Sequence, residues 1–217
     1  MEIFSHEEID FLKQAGFFAW KERLTSRLQG ELTALHEALV PHVVPGALIA
    51  PDEMDWTRWQ LVRGERFHDR PYVYLDCPQY FSRETKFTYR SMFWWGEGVF
   101  FALILEGALL DRYVENIERR YEAIADRDVS LSLADTPWEW SRSGRSVLPI
   151  HADTRDAVMA AARKRSFLKL QRVVALDRLI EPHAIVREGA ATFEALRPVI
   201  AKTLPIPPFS KGGQGGI

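Results

Sequence analysis

The chain has 217 residues, 47% apolar and 27% charged, a balance that suits one globular domain able to build a core without staples. Its net charge of −2 offers no global attraction to nucleic acid or to an anionic membrane. A single cysteine, Cys77, excludes an intrachain disulfide and argues against a cysteine-built zinc site, which fits a reducing cytoplasm.

The opening MEIFSHEEIDFLKQ is acidic and amphipathic, with no basic segment ahead of an apolar one, so it does not read as a secretory signal. Ser5 followed by Glu8 is a capping-box spacing and predicts a short first helix that Gly16 ends. A longer helix is predicted from about Phe18 to Leu39, where Leu24, Leu28, Leu32, Leu35 and Leu39 trace one face. Pro41 and Pro45-Gly46 close it.

From residue 56 the composition turns aromatic and β-branched. Trp56 to Val62 and Tyr72 to Leu75 read as strands, and RGERFHDRP (Arg63 to Pro71) reads as a polar, mostly basic connection between them. Phe87, Tyr89, Ser91, Phe93 and Trp95 alternate with Thr88, Arg90, Met92 and Trp94, as in a strand with one open face. Val99 to Leu105 is unbroken apolar sequence, as in a central strand covered on both sides, yet far shorter than the roughly 20 residues that cross a bilayer. Gly96-Glu97-Gly98 supplies a hairpin turn between the two.

A helix is predicted from about Leu109 to Ala125, and an edge strand at Pro137-Trp138-Glu139-Trp140. SRSGRS (Ser141 to Ser146) reads as a loop, and Asp153-Thr154 precede a helix to about Lys164. Phe167 to Leu176 reads as a strand and Ala190 to Thr203 as the last helix. The order argues for an α+β fold: a single domain over residues 1–204, with a mainly antiparallel mixed sheet packed by several helices. Residues 205–217, PIPPFSKGGQGGI, read as a flexible Pro/Gly-rich tail.

Catalytic and cofactor signatures are weak. His36-Glu37 begins a zincin-like pattern, but position 40 is Val, so no metal site and no cofactor are assigned. No G-x-S-x-G motif occurs, and Cys77 ends a strand without a visible activating neighbour. Two sets of residues do stand out. Arg63 and Arg66 in one basic segment, with Arg142 and Arg145 in another, are guanidinium forks suited to phosphate or carboxylate. Six of the seven tryptophans come in close pairs, and Trp94 shares a strand face with Arg90 while Trp95 points the other way.

The run MFWWGEGVFFALILEGALLDRYVENIERRYEAI, from Met92, resembles the strand–turn–strand–helix centre of the YktB-like family of uncharacterised bacterial proteins, which also begin with an F-S-x-E-E/D-like segment. A second uncharacterised family has a pattern like R-x-x-R-F-S-x-D-K-x-P-Y. Arg63, Arg66, Phe67, Asp69, Pro71 and Tyr72 match it loosely, with His68 in place of the Ser and no Lys after Asp69. The ending RKRSFLKLQRVVALDRLIEPHAIVREGAATFEALRPVI is similar to the C-terminal portion of either family. The likeness spans most of residues 3–204. It implies a single α+β domain and no activity.

The leading expectation is a cytoplasmic binding or accessory protein that holds a small anionic ligand, or a protein partner, on the open sheet face. Arg63, Arg66, Lys86, Arg90, Arg142 and Arg145 would supply charge and Trp94 a flat surface, with Tyr89 joining only if a bulge shifts its register. One alternative is an enzyme acting on a phosphate- or carboxylate-bearing metabolite, with Glu97 or Glu106 as acid/base. A less favoured one is a nucleic-acid-binding module of basic loops and stacking tryptophans. The sequence leaves the choice between enzyme and binder open, and the oligomeric state with it.

Overall fold

Ser5 caps the first helix as its spacing dictates. The Ser5 amide donates to the Glu8 carboxylate at 2.7 Å and the Glu8 amide donates to the Ser5 hydroxyl at 3.2 Å, which starts α1 (His6–Leu12). The computed structural model describes residues 3–140 and 144–202. The proposed tail therefore lies outside the described residues. α2 (Gly16–Leu39) follows α1 after three intervening residues and buries Leu32, Leu35 and Leu39.

Four strands follow as a meander: β1 (Gln60–Phe67), β2 (Arg70–Phe81), β3 (Lys86–Trp94) and β4 (Gly98–Glu106). Then come α3 (Leu110–Arg119), α4 (Tyr121–Ile124), β5 (Ser130–Ser132), β6 (Val147–Pro149), α5 (Arg155–Ala162), β7 (Phe167–Val174) and α6 (Ala184–Ile200). The sheet order is β1-β2-β3-β4-β7-β5-β6 and every pairing is antiparallel. The fold is α+β, one sheet packed by helices.

β4 is fourth of seven strands, so neighbours and layers cover it on every side. It is buried from Gly98 to Leu105, as its unbroken apolar run requires. Gly96 and Gly98 take φ of 78° and 138° in the turn that joins β3 to β4, a conformation only glycine adopts without strain. On one face of the sheet lie α2, α3 and α6, with Phe87, Tyr89, Phe101 and Leu103 beneath them. α6 comes closest at Gly189, where an added Cβ would sit 2.6 Å from Leu35 and 2.8 Å from Phe101. The Tyr89 hydroxyl donates to the Gly189 carbonyl at 2.7 Å at the same contact.

Several element boundaries differ from the sequence expectation. Arg63 to Pro71 is not a loop: β1 runs through Phe67 and β2 starts at Arg70, with His68 and Asp69 as a two-residue turn at φ 48° and 60°. Both residues sit in the left-handed region that a type I′ hairpin demands. β1 starts at Gln60, leaving Trp56 to Trp59 in turns. Pro137 to Trp140 forms no strand, because its carbonyls point at side chains of the sheet instead of at a ladder; the edge strands are β1 and β6. α6 begins six residues before the predicted Ala190.

Candidate functional site

The strand face expected to be open is closed. Among the described residues, the segment between β5 and β6 lays Trp138 and Trp140 over it. Met92, Trp94, Phe100, Ala102, Ile104 and Trp140 form a second apolar cluster there. Two basic side chains hold this strap. Lys169, 0% exposed on β7, donates to the Pro137 carbonyl at 3.3 Å and to the Glu139 carbonyl, with its ammonium 4.3 Å from the Trp140 ring centre. Arg165 donates to the Ala134 carbonyl. Burial pulls the Lys169 ammonium down to about 7, against the opposing attraction of Glu139.

Arg90 lies under the strap, paired. Its Nε and Nη2 donate to Asp76 at 2.7 and 2.6 Å, and Gln60 donates to the same carboxylate at 2.8 Å. The Tyr74 and Trp138 rings sandwich the guanidinium at 3.8 and 4.8 Å. Asp76 and Arg90 are direct cross-strand partners in the antiparallel β2–β3 register, which puts both side chains on this face. Trp94 is 8% exposed, and its indole N–H donates to the Phe67 carbonyl at 3.1 Å. Neither residue is available to a ligand on an open sheet.

The remaining predicted residues do not converge. Tyr89 stays on the helix face, since β3 and β4 pair without a register shift. Arg63 also faces the helices and pairs with Glu22 at 3.0 Å and Glu65 at 3.4 Å. Arg66 is exposed on β1 with no partner among the described residues. Lys86 pairs with Glu106 at the far end of the β3–β4 hairpin. Arg145 stands beside β6 at the opposite sheet edge from Arg63, across six strand spacings, or roughly 30 Å. Arg142 lies outside the described residues. Glu97, paired with Arg70, and Glu106 occupy opposite ends of the same hairpin and share no cleft. The Cys77 thiol is pushed up to about 12, by burial first and then by the Asp76 charge, which holds it in the protonated form at neutral pH.

A groove with a volume of about 840 Å³ lies on the helix side; a second of about 820 Å³ lies along α1 and is lined mainly by exposed and acidic residues. The leucine stripe of α2 builds the first. Leu32, Leu35 and Leu39 enter the core; Leu28 and Leu24, one and two turns earlier, are only partly buried and wall the groove. Opposite them stand Phe93 and Trp95 at the β3–β4 turn, Leu179 from the segment before α6, and Ile185 from its first turn. Trp95, not Trp94, is the partly exposed member of the pair; its ring meets Phe93 edge-on at 6.0 Å.

Charged groups cluster at one side of this groove. Arg27 is exposed and has no ion-pair or hydrogen-bond partner among the described residues. One turn on, Glu31 meets the His183 ring nitrogen at 3.0 Å through one oxygen. Its second oxygen is buried without a hydrogen-bond partner among the described residues. Arg27 and Glu31 are four residues apart and so lie side by side on α2, with Cβ atoms about 5–6 Å apart. The arrangement matches an apolar body with an anionic head and an adjacent N–H or O–H donor.

Sequence reasoning missed Arg27, Glu31 and His183 as a group. The leucine stripe was legible, and Arg27 and Glu31 flank it at helical spacing. His183, 152 residues from Glu31, carries no local signal. Compared with known protein families, with curated proteins and with solved structures, the chain matches none.

Proposed function

We propose that the protein is a non-catalytic binding protein for a small amphipathic anion, held in the groove between α2, the β3–β4 turn and the start of α6. The observation that carries this is Arg27, without an ion-pair partner among the described residues, at the rim of an apolar groove whose volume falls within the range of small-molecule sites. The anionic ligand expected from the sequence keeps its charge but changes its place. Arg27 replaces the arginines of the sheet, and Trp95 replaces Trp94. A carboxylate on Arg27 makes charge-assisted bonds, and an amide N–H beside it satisfies the free oxygen of Glu31. The single buried cysteine supports the cytoplasm as the working compartment. The likeness to the YktB-like family adds no activity to this reading.

Isothermal titration with three probes tests it. N-decanoylglycine, which carries a carboxylate and an adjacent N–H, is expected to bind, decanoate to bind more weakly, and decylamine not to bind. Arg27→Ala is expected to weaken N-decanoylglycine about 10- to 100-fold, the worth of a hydrogen bond to a charged group. Trp95→Ala removes one wall and weakens both anions. Equal affinity of wild type and Arg27→Ala, or preference for decylamine, overturns the proposal.

A further inference from the structure

One wall of the groove is held differently from the rest. Leu176, Leu179 and Ile180 come from the segment 175–183, none of whose residues is buried. The segment hangs between two buried anchors, Val174 at the end of β7 and Ala184 at the start of α6. Its backbone hydrogen bonds are local: the Arg178 amide donates to the Ala175 carbonyl at 3.1 Å, and the Ala184 amide to the Glu181 carbonyl at 3.3 Å. Among the described residues, three contacts tie it to other elements. Leu179 packs partly against the core, His183 meets Glu31 at 3.0 Å, and Glu181 pairs with Arg187 at 2.8 Å. Few buried apolar contacts and a backbone bonded to itself make a unit that moves without disturbing the fold.

Two features give that motion a direction. His183, the N-cap of α6, holds φ 52° and ψ 31°, in the left-handed region that favours glycine. Strained backbone of this kind at an element boundary collects at ligand clamps and hinges. Ile180, three residues earlier and so within about 10 Å of it, is 89% exposed at the rim of the groove, and Leu176 is 38% exposed. A lone exposed isoleucine is ordinary, but these two stand together on a loosely held segment at the mouth of an apolar groove.

We propose that residues 175–183 are a lid that folds over the occupied groove, with Ile180 capping the apolar body of the ligand. The lid rests on the groove being the ligand site. Its pivot at His183 lies beside Glu31, where the head of the ligand sits, so closing swings Ile180 and Leu176 over the apolar body and leaves the head in place. Both side chains leave water only when apolar ligand lies beneath them, which gives the closed state its differential contact. Contacts made after the encounter slow release more than they speed capture.

Stopped-flow tryptophan fluorescence, which reads Trp95 beside the groove, follows N-decanoylglycine onto and off wild type and Ile180→Ser. The variant is expected to keep its thermal midpoint and association rate and to release the probe about 10- to 100-fold faster, the worth of burying one isoleucine. Hydrogen exchange of the segment's amides is expected to slow at least about 10-fold when wild type is saturated with the probe, and not in Ile180→Ser. Exchange that the bound probe leaves unchanged in wild type shows a fixed wall and overturns the lid. Equal dissociation rates in the two proteins do the same. Either result leaves the groove reading standing, because the probe is bound. A wild type that does not bind N-decanoylglycine overturns both.

Discussion

Arg90→Met is expected to lower the unfolding free energy by about 3–5 kcal/mol, seen as an earlier midpoint in urea with an unchanged slope. The cause is Asp76. Its carboxylate is 0% exposed and accepts two bonds from Arg90 and one from Gln60. Met fills the space between the Tyr74 and Trp138 rings but leaves a buried charge with one neutral donor. The cost is that of the stranded charge, not the worth of the pair. The double replacement Asp76→Leu with Arg90→Met is therefore expected to recover most of the loss, since an apolar pair of similar volume is often as stable as the ion pair. A single variant within about 1 kcal/mol of wild type would show instead that water reaches the pair as it does at a surface.

Lys169 gives the second large effect, through pH. Its folded ammonium titrates at about 7, against about 10.4 in an unfolded chain. Between those values the unfolded state holds the extra proton, so stability rises with pH. The rise is at most about 1.4 kcal/mol per pH unit, or roughly 2 kcal/mol between pH 7 and 8.5. Below pH 7 both states are protonated, and the full burden of a buried ammonium is present. Above about 8.5 the unfolded Cys77 thiol begins to ionise while the folded thiol, pushed up to about 12, does not; that acts in the opposite direction. The comparison therefore belongs in the window from 7 to 8.5. Lys169→Met is expected to lie lower, since the Pro137 and Glu139 carbonyls lose their donor, but with a flat profile. Parallel wild-type and variant curves would refute the assignment.

What the sequence disclosed was local. The capping box of Ser5 and Glu8, the Gly96 turn and the unbroken run of β4 each depend on neighbours within a few residues, and each was readable. The β1–β2 hairpin was hidden because polar residues fill its exposed end and its turn is His68-Asp69, not the Asn-Gly that usually marks a type I′ turn. The alternation of β3 correctly put Trp94 and Arg90 on one face. Which face is open was not decided by β3 at all. A segment more than 40 residues later covers the Trp94 side, while the leucine stripe of α2, only partly buried at Leu24 and Leu28, leaves Trp95 beside a groove. A charged residue in an alternating strand therefore marked a buried ion pair and a buried ammonium, not a ligand site. Only long-range contacts distinguish the two.

The strand order has a consequence for the chain as it is made. β1 to β4 are consecutive neighbours, but the far side of β4 is covered only by β7, about 60 residues downstream. Until Phe167 to Val174 have left the ribosome, VFFALIL is the outer strand of a four-stranded sheet, with its free amides and carbonyls unclaimed. That is the most aggregation-prone kind of edge, long and wholly apolar. A truncation that removes β7 is expected to yield insoluble protein, not a smaller folded one, read by the fraction recovered after centrifugation.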